Sequence, residues 1–594
     1  MGIVVAHGVG AWAWLAVPLT GYVVVTAILA VTGRSTNREA VIHFMERVSD
    51  SLRRLTGFPG WAMAGVLSSL VMLLIVVVGF YWDVAWHIDL GRDVVLFTPS
   101  HVMILVGLGG LVYAGFVAIL FATIDDARVG FDLWGLRVPY SAVLLLALGT
   151  GAVIGFPLDE LWHRSYGIDV TLWSPTHLQL VGGGSAATIA ALLMCAEGLP
   201  SARPNRLGRA IVVLTAGTVL VGMSTFQGEF DFGVPQFQLL YQPLLVAAAA
   251  GFALVLARLA LGPWGALKVA LVALALRGLL ALTVAGALDH TVPRFPLYLG
   301  SALLVEAVAW RLGTARRLRV GILAGLAVGT VGLLTEGGWA LATGWWDTAP
   351  APLVVGALLL GPVAAIAAAV LGAGLSRAFL PRAAPLPAAA LVAAGVALLG
   401  VLAYPAPRLV GEVEATIRLD VAGDTADVEV TLHPADAADN ATAFVLAYWQ
   451  GGGSGTTPLD EVAPGVYRST APVPVTGSWK TMVSLQRGAQ VMAAPVYLPA
   501  DPEIGASAVP AVAERREPFV RNTEVLLREA TDGPALPGVL AYTGLATLVA
   551  LWVALMGVTA RRVGADDETT EPAASPPVLA GAEPPSMAGS AERR

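Results

Sequence analysis

Cysteine is all but missing: Cys195 stands alone in 594 residues. That excludes a disulfide framework and any cysteine-based metal or redox motif. Charge is scarce, at 13% of residues, and lysine is nearly absent, with Lys268 and Lys480 set against 33 arginines. The arginine bias fits a GC-rich bacterial genome. A net charge of −7 without a basic stripe gives no sign of nucleic-acid binding. The first residues lack the basic start and small-residue cleavage site of a signal peptide, so the first apolar run reads as a retained anchor.

Apolar sequence is what the chain has in excess: 56% of residues, with a mean hydropathy of +0.73. Composition of that kind defines an all-α polytopic membrane protein in contact with a lipid bilayer. Thirteen runs approach the roughly 20 residues a bilayer needs. They lie at 8–32, 60–82, 100–123, 138–160, 176–196, 210–227, 237–257, 265–287, 297–314, 320–343, 353–375, 385–404 and 537–560. With the N-terminus outside, eighteen basic residues fall in inner connections, against Arg92, Arg164 and Arg294 in the short outer ones. By the positive-inside rule this orients the chain in a bacterial inner membrane, with its C-terminal tail cytoplasmic.

The expected organisation is a membrane domain over 1–404, with an amphipathic inner segment at 36–56. An extracytoplasmic β-sandwich follows over 405–500, since VEATIRLDV, ADVEVTLHP, TAFVLAYW, GVYRSTAPV and SWKTMVSLQ alternate between turn residues. Residues 501–536 read as a linker in which PFVRNTEVLLREATDG forms a short amphipathic helix. The last span is 537–560. The tail at 561–594, rich in Pro, Ala, Glu and Ser, reads as disordered.

Only eight histidines occur, and four of them belong to a duplicated pattern, Asp-x3-His-x13-His. The copies are YWDVAWHIDLGRDVVLFTPSH, with Asp83, His87 and His101, and PLDELWHRSYGIDVTLWSPTH, with Asp159, His163 and His177. Trp86/Trp162, Gly91/Gly167, Asp93/Asp169, Leu96/Leu172 and Pro99/Pro175 keep the same offset of 76. Each copy spans the tip of one helical hairpin, 60–123 or 138–196. Asp and His at i and i+4 share a helix face. The following glycine fits a helix C-terminus, and Thr98-Pro99 or Ser174-Pro175 fits an N-cap followed by proline. The third ligand, His101 or His177, then falls in the first turn of the returning helix, where the helix dipole disfavours imidazolium.

One carboxylate and two imidazoles are ligand types for copper or, less suitably, zinc. Asp93 and Asp169 stand ready as a fourth ligand or to orient a ring, with Trp86 and Trp162 beside the site. The competing readings are Asp–His hydrogen bonds that pin the loops, a protonation relay, and haem. A third, eroded copy has Glu336, Trp339, Gly344 and Pro352, with Ala340 and Val354 at the histidine positions. Hairpins near Glu229/Asp231 and Asp289/His290 match less well. Interfacial exposure is the default for Glu229, Asp231 and Glu336; burial would imply a role. His7, His43 and His433 lack ligand company.

The duplicated hairpin resembles the copper site of the C subunit of the particulate methane and ammonia monooxygenases, over about twenty residues per copy. The last interval is one residue longer here, and the duplication is absent there. Residues 411–498, above all GVYRSTAPVPVTGSWKTMVSLQRG, resemble a FixH/YtkA-type extracytoplasmic domain. Such domains occur beside copper-handling and terminal-oxidase assembly proteins. The domain itself offers only His433 as a strong ligand, together with Met482 and Met492, so it need not bind metal. These resemblances imply copper held at two outward sites, for handling or delivery to an envelope oxidase or other membrane subunit. A metal-dependent membrane oxidoreductase and a transporter with structural motifs are the alternatives.

Overall fold

A computed structural model describes residues 38–565, apart from 93–96, 168–171, 234–235, 347–348, 381–382, 404–411 and 532. The run at 8–32, His7, Asp93, Asp169 and the tail from 566 lie outside these residues. The amphipathic segment is helix α1 (Arg38–Thr56), which buries Met45 and Ser49 and points its charged side chains away. The Ser49 hydroxyl donates to Asp125 Oδ2 at 2.7 Å.

The membrane domain continues through α2 (Gly60–Asp89), α3 (Pro99–Ile124), a small hairpin of β1 (Phe131–Leu133) and β2 (Leu136–Val138), α4 (Tyr140–Tyr166), α5 (Pro175–Ser201), α6 (Arg206–Gln227), α7 (Tyr241–Leu261) and α8 (Gly265–Ala287). Next come α9 (Leu299–Leu312), α10 (Arg317–Ala342), α11 (Ala351–Phe379) and α12 (Ala388–Ala403). Among the described residues ten helices, including a C-terminal one, are long and apolar enough to cross a bilayer. Two expected spans are shorter: α9 has 14 residues and α12 has 16, so neither alone reaches the roughly 20 of a full crossing.

α2 and α4 extend to Asp89 and Tyr166, well past the apolar limits at 82 and 160. The polar residues that ended the apolar runs are paired inside the protein instead of facing lipid, so the helix has no reason to stop. The two motif hairpins also close in the same way. A side chain at Gly79 would sit 3.0 Å from Ile104 N, and one at Gly107 would sit 2.7 Å from Val76. Gly155 faces Leu180 and Gly183 faces Ala152 in the second hairpin, each at the same offset of 76. Small residues at these crossings let the paired helices approach closely, which brings the end of one within reach of the start of the next.

The C-terminal part holds β3 (Glu414–Ala422), β4 (Thr425–His433), β5 (Ala443–Trp449), β6 (Ser454–Ala463), β7 (Val466–Ser469), β8 (Val473–Pro474), β9 (Lys480–Arg487), β10 (Gln490–Tyr497), β11 (Glu514–Pro518), β12 (Val520–Arg521), α13 (Asn522–Leu526) and the last long helix, α14 (Ala535–Gly564). The expected sandwich is one curled sheet, ordered β11-β3-β4-β7-β6-β5-β9-β10-β12 with β8 on β4. β6 turns the corner: Ser454–Pro458 pair with β5, and Leu459–Ala463 pair with β7. Its two halves enclose Val428, Val430, Leu446, Val483, Leu485 and Val496. The segment read as a linker contributes β11 and β12 to this sheet, and its helix is only five residues long.

This sheet sits on the motif end of the helical domain. Gln450 N donates to Ile88 O at 2.9 Å and Gly452 N to Asp89 O at 3.0 Å. Thr531 N donates to Tyr166 O at 3.0 Å. These carbonyls are the last ones of α2 and α4, which have no partner within their own helix. Arg92 adds a forked ion pair to Asp501, at 2.5 and 3.0 Å.

Candidate metal centre

Each duplicated hairpin gathers its three residues. In the first, His101 Nε2 lies 3.1 Å from Asp83 Oδ1, and His87 Nε2 lies 3.6 Å from Asp83 Oδ2. In the second, His177 Nε2 and His163 Nε2 lie 3.1 and 3.3 Å from Asp159 Oδ2. Within each trio one ligand atom per residue falls within 4.8 Å of the others. Among the described residues these two are the groups of three His, Cys, Asp or Glu side chains so arranged. Ligands of a common ion at about 2.0–2.2 Å stand about 4 Å apart at most, so closing on an ion takes a contraction of under about 1 Å.

Local sequence dictates this geometry. One turn of α2 or α4 separates the Asp from its first His. Thr98 and Ser174 cap the returning helices, accepting from the backbone N–H of His101 at 3.4 Å and of His177 at 3.0 Å, with proline at the first helical position. Gly91 and Gly167, at φ of 101° and 107°, turn the chain out of the rising helix where a side chain would be strained. Gly167 N donates to His163 O at 3.0 Å.

Sequence reading passed over one pair. Ser100 Oγ donates to Asp83 Oδ1 at 2.7 Å, and Thr176 Oγ1 to Asp159 Oδ1 at 2.5 Å. Each hydroxyl also touches the cap, at 3.1 Å to Thr98 and 3.0 Å to Ser174. The cap, hydroxyl and carboxylate therefore form one chain in each copy and fix the carboxylate against the imidazoles. A hydroxyl residue between the proline and the histidine at both positions was the available signal.

The remaining residues from the motif separate from the trios. Trp86 packs on His290, with centroids 5.4 Å apart. Trp162 stacks on Tyr166 at 4.1 Å and meets Tyr542 edge-on. His290 Nδ1 is 3.0 Å from Asp89 Oδ2, which also accepts from Thr291 N at 2.7 Å. Within the sheet, His433 sits at the end of β4 beside Thr416, and Met482 and Met492 are core residues.

Glu229, Asp231 and Glu336 are not at an interface; all three are buried. Glu336 accepts from Leu297 N and Tyr298 N at the start of α9, at 2.9 and 2.7 Å. The eroded third copy thus keeps its carboxylate as a helix cap, alongside Gly344 at φ of 65°. Asp231 pairs with Arg277 at 2.5 Å and accepts from Tyr81 OH at 2.8 Å. Glu229 Oε1 accepts from Phe237 N at 3.1 Å and from Gln236 N.

A cavity of about 650 Å³ adjoins both trios. Asp83, His87, His101, Asp159 and His177 line it, and the rest of its wall is mostly Leu, Val and Ile from α2, α5, α6 and α8. Compared with known proteins, the chain matches no family model, no curated protein and no solved structure.

Proposed function

We propose that the protein binds two transition-metal ions, copper foremost and zinc less suitably, one at Asp83/His87/His101 and one at Asp159/His163/His177. The observation that carries this reading is the repeated convergence of the same three ligand types on two hairpins. Three N/O donors leave a coordination position open, as in sites that exchange or activate a ligand. Copper lies at the top of the affinity order for such donors. The role is metal handling, or delivery to an envelope enzyme. The bias of arginine to the opposite connections supports an outward orientation of both sites. The apolar cavity reaching both trios favours a second reading, a metal-dependent oxidoreductase acting on a molecule dissolved in the bilayer.

Elemental analysis of the purified protein tests the metal reading. Wild type should carry two equivalents, His87→Ala and His163→Ala about one each, and the double variant none. Equal metal in wild type and double variant would sink the proposal. In sealed right-side-out vesicles, an impermeant chelator should reach the bound metal; protection from it would reverse the orientation.

A further inference from the structure

The cavity has more structure than two metal sites require. It extends along α2 from Leu67 to His87, and twenty residues at 1.5 Å per residue make about 30 Å. Its ionisable groups, those of the trios and Glu229, lie toward one end, with Gln236 in the same wall. The rest is mostly aliphatic, with the hydroxyls of Ser185, Thr188, Thr218, Thr225 and Thr283 set among the Leu, Val and Ile side chains. Val71, Leu74, Leu214 and Leu279 belong both to its wall and to the exposed apolar surface of the helices. At membrane depth that surface faces lipid, so the cavity opens sideways into the bilayer.

The polar end holds unused hydrogen-bonding capacity. Glu229 is 7% exposed, and its Oε2 has no hydrogen-bond partner among the described residues; neither has Gln236 Oε1. Both atoms are enclosed, so a head group meets them when these side chains turn toward the cavity. Unmatched polar atoms in a buried wall cost free energy unless a ligand or water meets them. Burial pushes the Glu229 carboxyl up to about 8, against the opposing pull of its bonds to Gln236 and Phe237. It is therefore a neutral acid at pH 7, able to donate as well as accept. A charged head of either sign would have to shed its water to enter this wall.

We propose that this cavity binds a membrane-dissolved amphiphile with a long apolar tail and a neutral hydroxyl head, the head resting against Glu229 and Gln236 beside the metal trios. A fatty alcohol and a quinol share this chemistry. The proposal goes beyond the metal reading and stands on separate observations, the shape of the cavity and its two unmatched oxygens.

The test uses the full chain in phosphatidylcholine nanodiscs and a hexadecanol carrying a mid-chain diazirine. After photolysis, adducts should map to residues 67–84 of α2 and 276–283 of α8. Unlabelled hexadecanol should compete at least tenfold better than hexadecane or hexadecylamine. A decyl hydroquinone that outcompetes hexadecanol would support the proposal and identify the quinol as the source. Glu229→Leu should erase the preference for hexadecanol over hexadecane. Thr218→Phe, which narrows the cavity away from the polar end, should lower labelling about tenfold. Adducts confined to exposed α14, or equal competition by hexadecane, would overturn the proposal. Metal content measured on the same samples separates the two ideas. Metal without head-group preference removes the amphiphile site alone, and preference without metal removes the metal reading alone.

Discussion

Buried carboxylates in this protein divide by the partners they take. Glu197 accepts from Tyr140 N and Ser141 N, Glu306 from Trp264 N and Ala266 N, and Glu336 from Leu297 N and Tyr298 N. Each occupies the otherwise unpaired N–H groups at the start of a helix, which is a structural task. Asp83 and Asp159 face imidazoles and a hydroxyl instead. Ser100→Ala and Thr176→Val should therefore weaken metal binding by roughly 10–100-fold while leaving the fold intact, the usual effect of losing a group that orients a ligand. Titration of each variant with copper under a competing chelator measures this, and unchanged affinity would count against the hydroxyl's role. The trios were legible in the sequence because duplication kept Asp, His and His at one spacing. Ser100 and Thr176 kept that spacing too, but hydroxyl residues near helix starts are so common that their role shows only in three dimensions. The pairings of Asp89 with His290 and of Asp231 with Arg277 join residues 201 and 46 positions apart, and no local pattern announces them.

At the scale of elements, apolar run length located the described helices but misplaced their ends, because polar residues satisfied inside the bundle do not terminate a helix. Spacing between helices was likewise written in the sequence and not read: Gly79/Gly155 and Gly107/Gly183 repeat with the motif and mark the close crossings. The last helix shows a different use of glycine. α14 is largely exposed, yet its Trp552 is buried against α4 and α5. A side chain at Gly151 would come within 2.5 Å of the Trp552 ring, and one at Gly183 within 3.2 Å. Trp552→Ala should cost about 3–5 kcal/mol, the usual toll of emptying an aromatic site, and lower the melting temperature in detergent. Gly151→Val should act in the same direction by filling the slot. A melting temperature unmoved by both would show that α14 is held by lipid alone.

For the molecule as a whole, the curled sheet and the helical domain are joined by charge as well as by backbone bonds. The fork from Arg92 holds the Asp501 carboxyl below the usual carboxylate range, outweighing the opposing effect of its burial. A depressed acid contributes its full share above its unfolded value near pH 4 and loses it as pH falls through the folded value. Docking should thus be insensitive to pH between about 5 and 8 and should loosen on acidification below about 4. Hydrogen exchange at residues 496–506 reports this, and Asp501→Asn should raise exchange at pH 7 and remove that acid step. The sequence announced a separate sheet domain, since alternation is local. It could not announce where the domain sits, because Gln450, Gly452 and Thr531 dock through backbone atoms that carry no residue signature.

That seat has a kinetic meaning. Gln450 and Gly452 bind the carbonyls just after His87, and Thr531 binds the one three residues after His163. The sheet is therefore latched to the ends of the helices that carry the candidate ligands. If an ion binds as proposed and leaves toward the sheet, the time it stays is set by how often the sheet lifts, separately from how tightly the ligands hold. Chelator-driven release should then rise with chelator concentration and level off at the rate of sheet lifting. A release rate that climbs without limit would show an uncovered site. Substitutions at Arg92 or Asp501 would then shorten the stay of a bound ion without touching a candidate ligand, separating its lifetime from its affinity.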